Sequence, residues 1–247
     1  MEENESLKEI KKALIHGIAL LLVVSLVSGF VLYTSSYRRT QEYPQYVPPG
    51  VSVRRLDDDC IVFEPETVRA GLIFYPDERV EHSAYSELLL ECSAEGILCV
   101  AVKMPFNIPS LKSEKAAEIK AMFPETDDWY IAGHGKGGIA AAKCVKNNIP
   151  DYKGLILLAS YTKEYFYDTG VKVLTVYGSN DKILNMKKYE NCSVNLPADA
   201  VKRVIEGGNH TQFGYYGSLP KDGKAGITAG EQIKETVTLI SGFIGGE

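Results

Sequence analysis

The chain has 247 residues, with 27 Lys and Arg against 32 Asp and Glu, giving a formal net charge of −5. That balance leaves no basic footprint for nucleic acid, so no nucleic-acid partner is expected. The five cysteines show no zinc spacing, and their odd number leaves at least one thiol without an intrachain partner.

Residues 1–12 form a charged N-terminal segment, and residues 13–33 carry no charged group apart from His16. A run of about 20 apolar residues crosses a bilayer as a helix. No small-x-small cleavage site precedes Arg38 and Arg39, so 13–33 reads as an uncleaved transmembrane signal anchor rather than a cleaved signal peptide. Lys8, Lys11, Lys12 and the α-amino group outweigh Arg38 and Arg39, which places the globular domain on the extracytoplasmic side of the membrane. Residues 34–50, with Pro44, Pro48 and Pro49, read as a stiff linker holding residues 51–247 near the surface.

In the globular part, Val51–Leu56 and Cys60–Phe63 alternate about Asp57-Asp58-Asp59, an edge hairpin. The triple aspartate lacks the spaced ligands, glycine and closing Glu of a calcium loop, so it reads as a solvated turn. From Gly71 onward strands and helices alternate, which predicts an α/β fold with a mostly parallel sheet and helices on both faces. Strands are predicted at 72–75, 97–102, 129–132, 154–160, 171–177 and 201–206. Helices are predicted at 83–95, 113–123 (capped by Ser113), 139–146, 186–191 and 231–244. The last of these turns Ile233, Val237, Leu239, Ile240 and Phe243 toward the sheet. About 200 residues suffice to bury the core of one domain.

The densest chemical signal is Gly133-His134-Gly135-Lys136-Gly137-Gly138, a glycine turn between a buried strand and an alanine-rich helix. The first amides of such a helix lack intrahelical partners and face whatever occupies the turn. Three motifs compete for it. Gly133, Gly135 and Gly138 fit the dinucleotide fingerprint, but the next strand ends in Ser160 and Tyr161 instead of an acidic residue. A phosphate loop is excluded, because Gly137 follows Lys136 where Ser or Thr is required. The third is the nucleophile elbow G-x-S-x-G, here with glycine at the serine position. Downstream, Asp181 and His210 each follow a strand end, in the chain order nucleophile, acid, histidine that elbow enzymes use.

With the elbow, Gly71-Leu-Ile-Phe-Tyr-Pro76, Val80-Glu81-His82, Tyr177-Gly-Ser-Asn-Asp181 and Glu206-Gly-Gly-Asn-His210, the chain resembles the α/β-hydrolase family, dienelactone-hydrolase-like branch, from about Gly71 onward. The resemblance implies an α/β-hydrolase sheet and an ester- or lactone-cleaving ancestry, with no cofactor and no metal. It assigns His210 and Asp181 as triad remnants and Gly135 as the nucleophile position. It also implies glycines where this chain has Asp77 and Glu78, two carboxylates that oppose a developing oxyanion. Lys136 adds a cation at the positive end of a helix dipole, at a cost of a few tenths to about 1 kcal/mol. Three separate departures at one site point to a drifted pseudoenzyme rather than an engineered knock-out.

The expectation is therefore a membrane-anchored pseudo-hydrolase that binds a small anionic or carbonyl ligand through Lys136, Asp77 and Gly137. Two alternatives stay open: an active ester or lactone hydrolase that uses His210-activated water, and a protein-interaction module with a vestigial pocket. The aromatic residues of Gln212-Phe-Gly-Tyr-Tyr216 are expected to rim the site.

Overall fold

A computed structural model of the chain describes residues 2–34, 46–57 and 60–246. Residues 35–45 of the predicted linker, and Asp58 and Asp59 of the predicted hairpin turn, lie outside these. The chain divides into two compact units, Met1–Tyr37 and Arg38–Glu247. The first is a single helix, α1 (Glu2–Thr34), whose stretch Ser6–Tyr33 is long and apolar enough to cross a membrane. A signal sequence shares those features.

The second unit is built on eight strands: β1 (Val51–Asp57), β2 (Cys60–Pro65), β3 (Ala70–Tyr75), β4 (Ile97–Val102), β5 (Trp129–His134), β6 (Gly154–Leu158), β7 (Lys172–Gly178) and β8 (Val201–Ile205). They form one sheet in the order β1-β2-β4-β3-β5-β6-β7-β8. The predicted hairpin makes one edge, with β1 antiparallel to β2 and β2 antiparallel to β4; every later pairing is parallel. Every residue of β3, β4, β5 and β6 is buried, as strands covered on both faces require. At the opposite edge β8 exposes Lys202 and Arg203, charges that discourage pairing with another chain.

Five helices flank the sheet: α2 (Ser86–Ala94), α3 (Lys115–Ala121), α4 (Lys136–Asn147), α5 (Met186–Cys192) and α6 (Ala229–Gly245). Three local expectations need correction. The first helix is preceded by a 3-10 turn, His82–Tyr85. Helix α3 starts after Glu114 with no side-chain cap, and the Ser113 carbonyl instead accepts the Tyr75 hydroxyl. On α6 Leu239 is only half-buried, whereas Gln232 and Thr236 are buried beside Ile233, Val237, Ile240 and Phe243. Its N-terminus is a capping box in which Thr228 and Glu231 satisfy each other's amides. None of the five cysteines is in a disulfide, and Cys192 alone is not fully buried.

The topology positions the site. After β4 the chain returns to the other side of β3, so β3 and β5 are neighbours across the point where strand order reverses. Tyr75 pairs with Gly133, which sets the two following residue pairs level with each other beyond the sheet. Asp77 and Gly135 are thereby brought face to face.

Candidate active site

The elbow geometry is present at Gly135, with φ 51° and ψ −118° between β5 and α4. A residue with a side chain is strained there, and glycine is not. Gly137, two residues on, packs under the end of β3: a Cβ at that position would lie 2.2 Å from the Pro76 carbonyl oxygen. It serves close packing of helix on strand.

The space over Gly135 is taken. A Cβ built on Gly135 would meet Asp77 Oδ1 at 2.3 Å and Cγ at 2.4 Å. The Asp77 carboxylate therefore stands where a nucleophile's side chain would be. Its Oδ1 accepts the backbone N–H of Lys136 and that of Glu78, each at 2.7 Å. The Lys136 amide is the donor that follows the nucleophile position, and in an elbow enzyme it faces the oxyanion. One carboxylate thus fills both the nucleophile's place and part of the oxyanion hole. The remaining oxygen, Oδ2, lies 3.4 Å from His210 Nε2.

The acid–histidine pair is assembled as the chain order predicted. His210 Nδ1 is 2.9 Å from Asp181 Oδ2, and both side chains are buried. Asp181 Oδ1 accepts the amides of Ile183 and Leu184, so the carboxylate also closes its own turn after β7. The His210 loop is clamped from α6. Asn209 donates its amide to Gln232 Oε1, and Gln232 Nε2 donates back to the Asn209 carbonyl. Asp222 adds an acceptor for the Thr211 amide.

His134 completes the cluster. Its ring is fully buried, centred 4.5 Å from that of His210 and 5.3 Å from that of Phe213. Its Nδ1 is 2.8 Å from the Tyr85 hydroxyl, and that oxygen in turn accepts the Asp77 amide. Phe213 and Tyr216 are buried against this ring, so the expected aromatic rim is instead a packed floor.

Charge follows from burial and partners. For His210, burial opposes protonation, but Asp181 and Asp77 overcome it and raise the imidazole to about 9. Burial would raise both carboxyls; contact with His210 outweighs it and holds Asp77 and Asp181 below the usual carboxylate range. His134 is lowered to about 3, first by burial and then by the neighbouring His210 charge. At neutral pH the array is carboxylate, imidazolium, carboxylate, with a neutral His134 alongside. An imidazolium has no lone pair with which to take a proton from water.

Residues 71–234 match the profile of the alpha/beta hydrolase family. The chain belongs to that family. No curated protein matches the sequence. Among solved structures, a predicted CIB-like hydrolase from Thermoplasma acidophilum is similar at TM-score 0.57 and 13% identity, covering 77% of this chain and 98% of that one. At that identity the likeness concerns the fold.

Within this alpha/beta hydrolase, all six residues singled out in the sequence lie at the carboxyl ends of β3, β5, β7 and β8, but in altered relations. Lys136 sends its ammonium to Glu78 Oε2 rather than into the turn. Asp77 occupies the elbow instead of bordering it. Ser160, just past β6, donates its hydroxyl to the Gly135 carbonyl at 2.6 Å and so braces the turn from behind. Among the described residues, His210 hydrogen-bonds only to the two carboxylates. A cavity of about 520 Å³ lies beside the loop after His210, lined by Asn209, Thr211, Gln212, Asp222 and Lys224 among others, and it does not reach Asp77 or Gly135. The sequence reading missed His134, Tyr85 and Gln232.

Proposed function

We propose that this is a membrane-anchored pseudo-hydrolase: residues 13–33 anchor it, the globular domain lies on the extracytoplasmic side, and it does not turn over esters or lactones. The observation that carries the reading is the Asp77 carboxylate over Gly135, within 2.3 Å of a side chain's first carbon and bonded to the amide an oxyanion would need. Acyl transfer requires a nucleophile and donors aimed at developing negative charge. Here the nucleophile is missing and the donor already holds an anion. Water activated by His210 fares no better, since the imidazole keeps its proton up to about pH 9. The turn accepts a carboxylate, and a small anionic or carbonyl ligand would compete with Asp77 for the same amide.

The test is hydrolysis of p-nitrophenyl acetate by the full-length protein in detergent. The expected rate at pH 7.5 equals that of the His210→Ala variant. A rate that falls at least tenfold in His210→Ala overturns the reading and restores an active hydrolase.

A further inference from the structure

The side chains at the strand ends form a cluster that acyl transfer does not explain. Asp77, His134 and His210 each offer one ligand-type atom, and these atoms lie within 4.8 Å of one another. His134 is completely buried, and its Nε2 has no hydrogen-bond partner. A buried ring nitrogen left unpaired is rare and calls for an occupant, water or ion.

The spacing of one pair of these atoms suits an ion. The 3.4 Å between Asp77 Oδ2 and His210 Nε2 makes a hydrogen bond longer than the usual 2.7–3.2 Å N–H···O contact. Two ligands bound at about 2.0–2.1 Å to a tetrahedral ion stand about 3.4 Å apart. The outer contacts suit a metal site as well. Histidines that bind metals fix their second nitrogen on a carboxylate, carbonyl or similar partner. His210 Nδ1 rests on Asp181 and His134 Nδ1 on the Tyr85 hydroxyl, while two amides hold Asp77 Oδ1. Each candidate ligand is thus oriented through its other polar atom.

We propose that Asp77, His134 and His210 form a binding site for a divalent transition ion of the zinc class. Two imidazoles and one carboxylate, once the ion has displaced the proton from His210 Nε2, suit Zn²⁺ or Co²⁺ far better than Ca²⁺ or Mg²⁺, which prefer all-oxygen shells. Three protein ligands leave a fourth position for water or a small ligand. The inference stands apart from the pseudo-hydrolase reading, because a chain can hold an ion without cleaving esters.

The experiment titrates the full-length, chelator-stripped protein in detergent with Co²⁺. One equivalent should develop the visible d–d absorption of a four- or five-coordinate ion, and Zn²⁺ should abolish it stoichiometrically. Asp77→Asn preserves shape and should weaken binding at least tenfold, with its fold checked by circular dichroism. Zn²⁺ should raise the melting temperature of the unaltered protein and not that of Asp77→Asn. No d–d bands at tenfold excess Co²⁺, or equal binding by Asp77→Asn, would overturn the proposal.

Discussion

The two halves of the site are held by different kinds of bond. On the β7–β8 side, Asp181 and His210 form a buried pair that also does the work of folding. Asp181 closes a turn through two amides, and the His210 loop is tied to α6 through Gln232. On the β3–β5 side, groups suited to acyl transfer are replaced by groups that fill space or balance charge. Asp77 fills the volume above Gly135, and Glu78 neutralises Lys136. If the pseudo-hydrolase reading holds, the difference teaches that catalytic-type residues with a second, architectural role persist without the chemistry. Those with a chemical role alone do not.

That contrast can be broken most sharply at Asp181. Asp181→Ala leaves a buried imidazolium with one long contact and strands two turn amides, and it should cost about 3–5 kcal/mol. Urea unfolding followed by the fluorescence of Trp129, the single tryptophan, measures it. A loss below about 1 kcal/mol would mean the pair is not architectural.

Gly135→Ser should cost about 2–6 kcal/mol, combining roughly 1–3 for a side chain at positive φ with roughly 1–3 for overpacking against Asp77. Adding Asp77→Gly should recover at least half of that loss, a coupling that a double-mutant cycle reads directly. If the double variant is no better than the single, Asp77 is not the occupant of the elbow.

The pH profile sharpens the comparison further, measured in EDTA. His210 is raised from 6.5 to about 9, so its contribution is complete below pH 6.5 and lost as pH rises through 9. His134 is lowered from 6.5 to about 3, so stability also falls as pH drops below 6.5 and the unfolded ring takes up a proton. Asp77 and Asp181 add a further loss below their ordinary value of 3.8. The maximum should lie near pH 6.5, with limbs no steeper than about 1.4 kcal/mol per pH unit for each group. His210→Ala should flatten the alkaline limb and also shrink the loss below 3.8, because His210 is what draws Asp77 and Asp181 down. The smallest effect is expected at Lys136→Ala, whose exposed pair with Glu78 contributes about 0–1 kcal/mol and is screened by salt.

Much of the fold was legible because buried parallel strands read as apolar runs between glycine-rich turns. Strand β4 matches its predicted residues, 97–102, and β5 extends the prediction by two. The acid and histidine were legible because each follows a strand end. What was hidden is contact across the sheet. Asp77 and Lys136 are 59 residues apart, and no local spacing reveals that one carboxylate fills the other turn. Tyr85 is buried like any core aromatic, and only its hydroxyl tip distinguishes it from Phe. Gln232 carried the one clear signal that was overlooked, an amide on the apolar face of α6. Such a group must have buried partners, and its partners are both on Asn209.

The filled elbow has a genetic consequence. A mutation that places an alcohol at 135 lands on a volume the Asp77 carboxylate already fills. Position 77 must change first, and that step by itself strips the imidazole of a counterion. Positions 77 and 135 are therefore tied together, and a change of side-chain size at one is tolerated only with a matching change at the other.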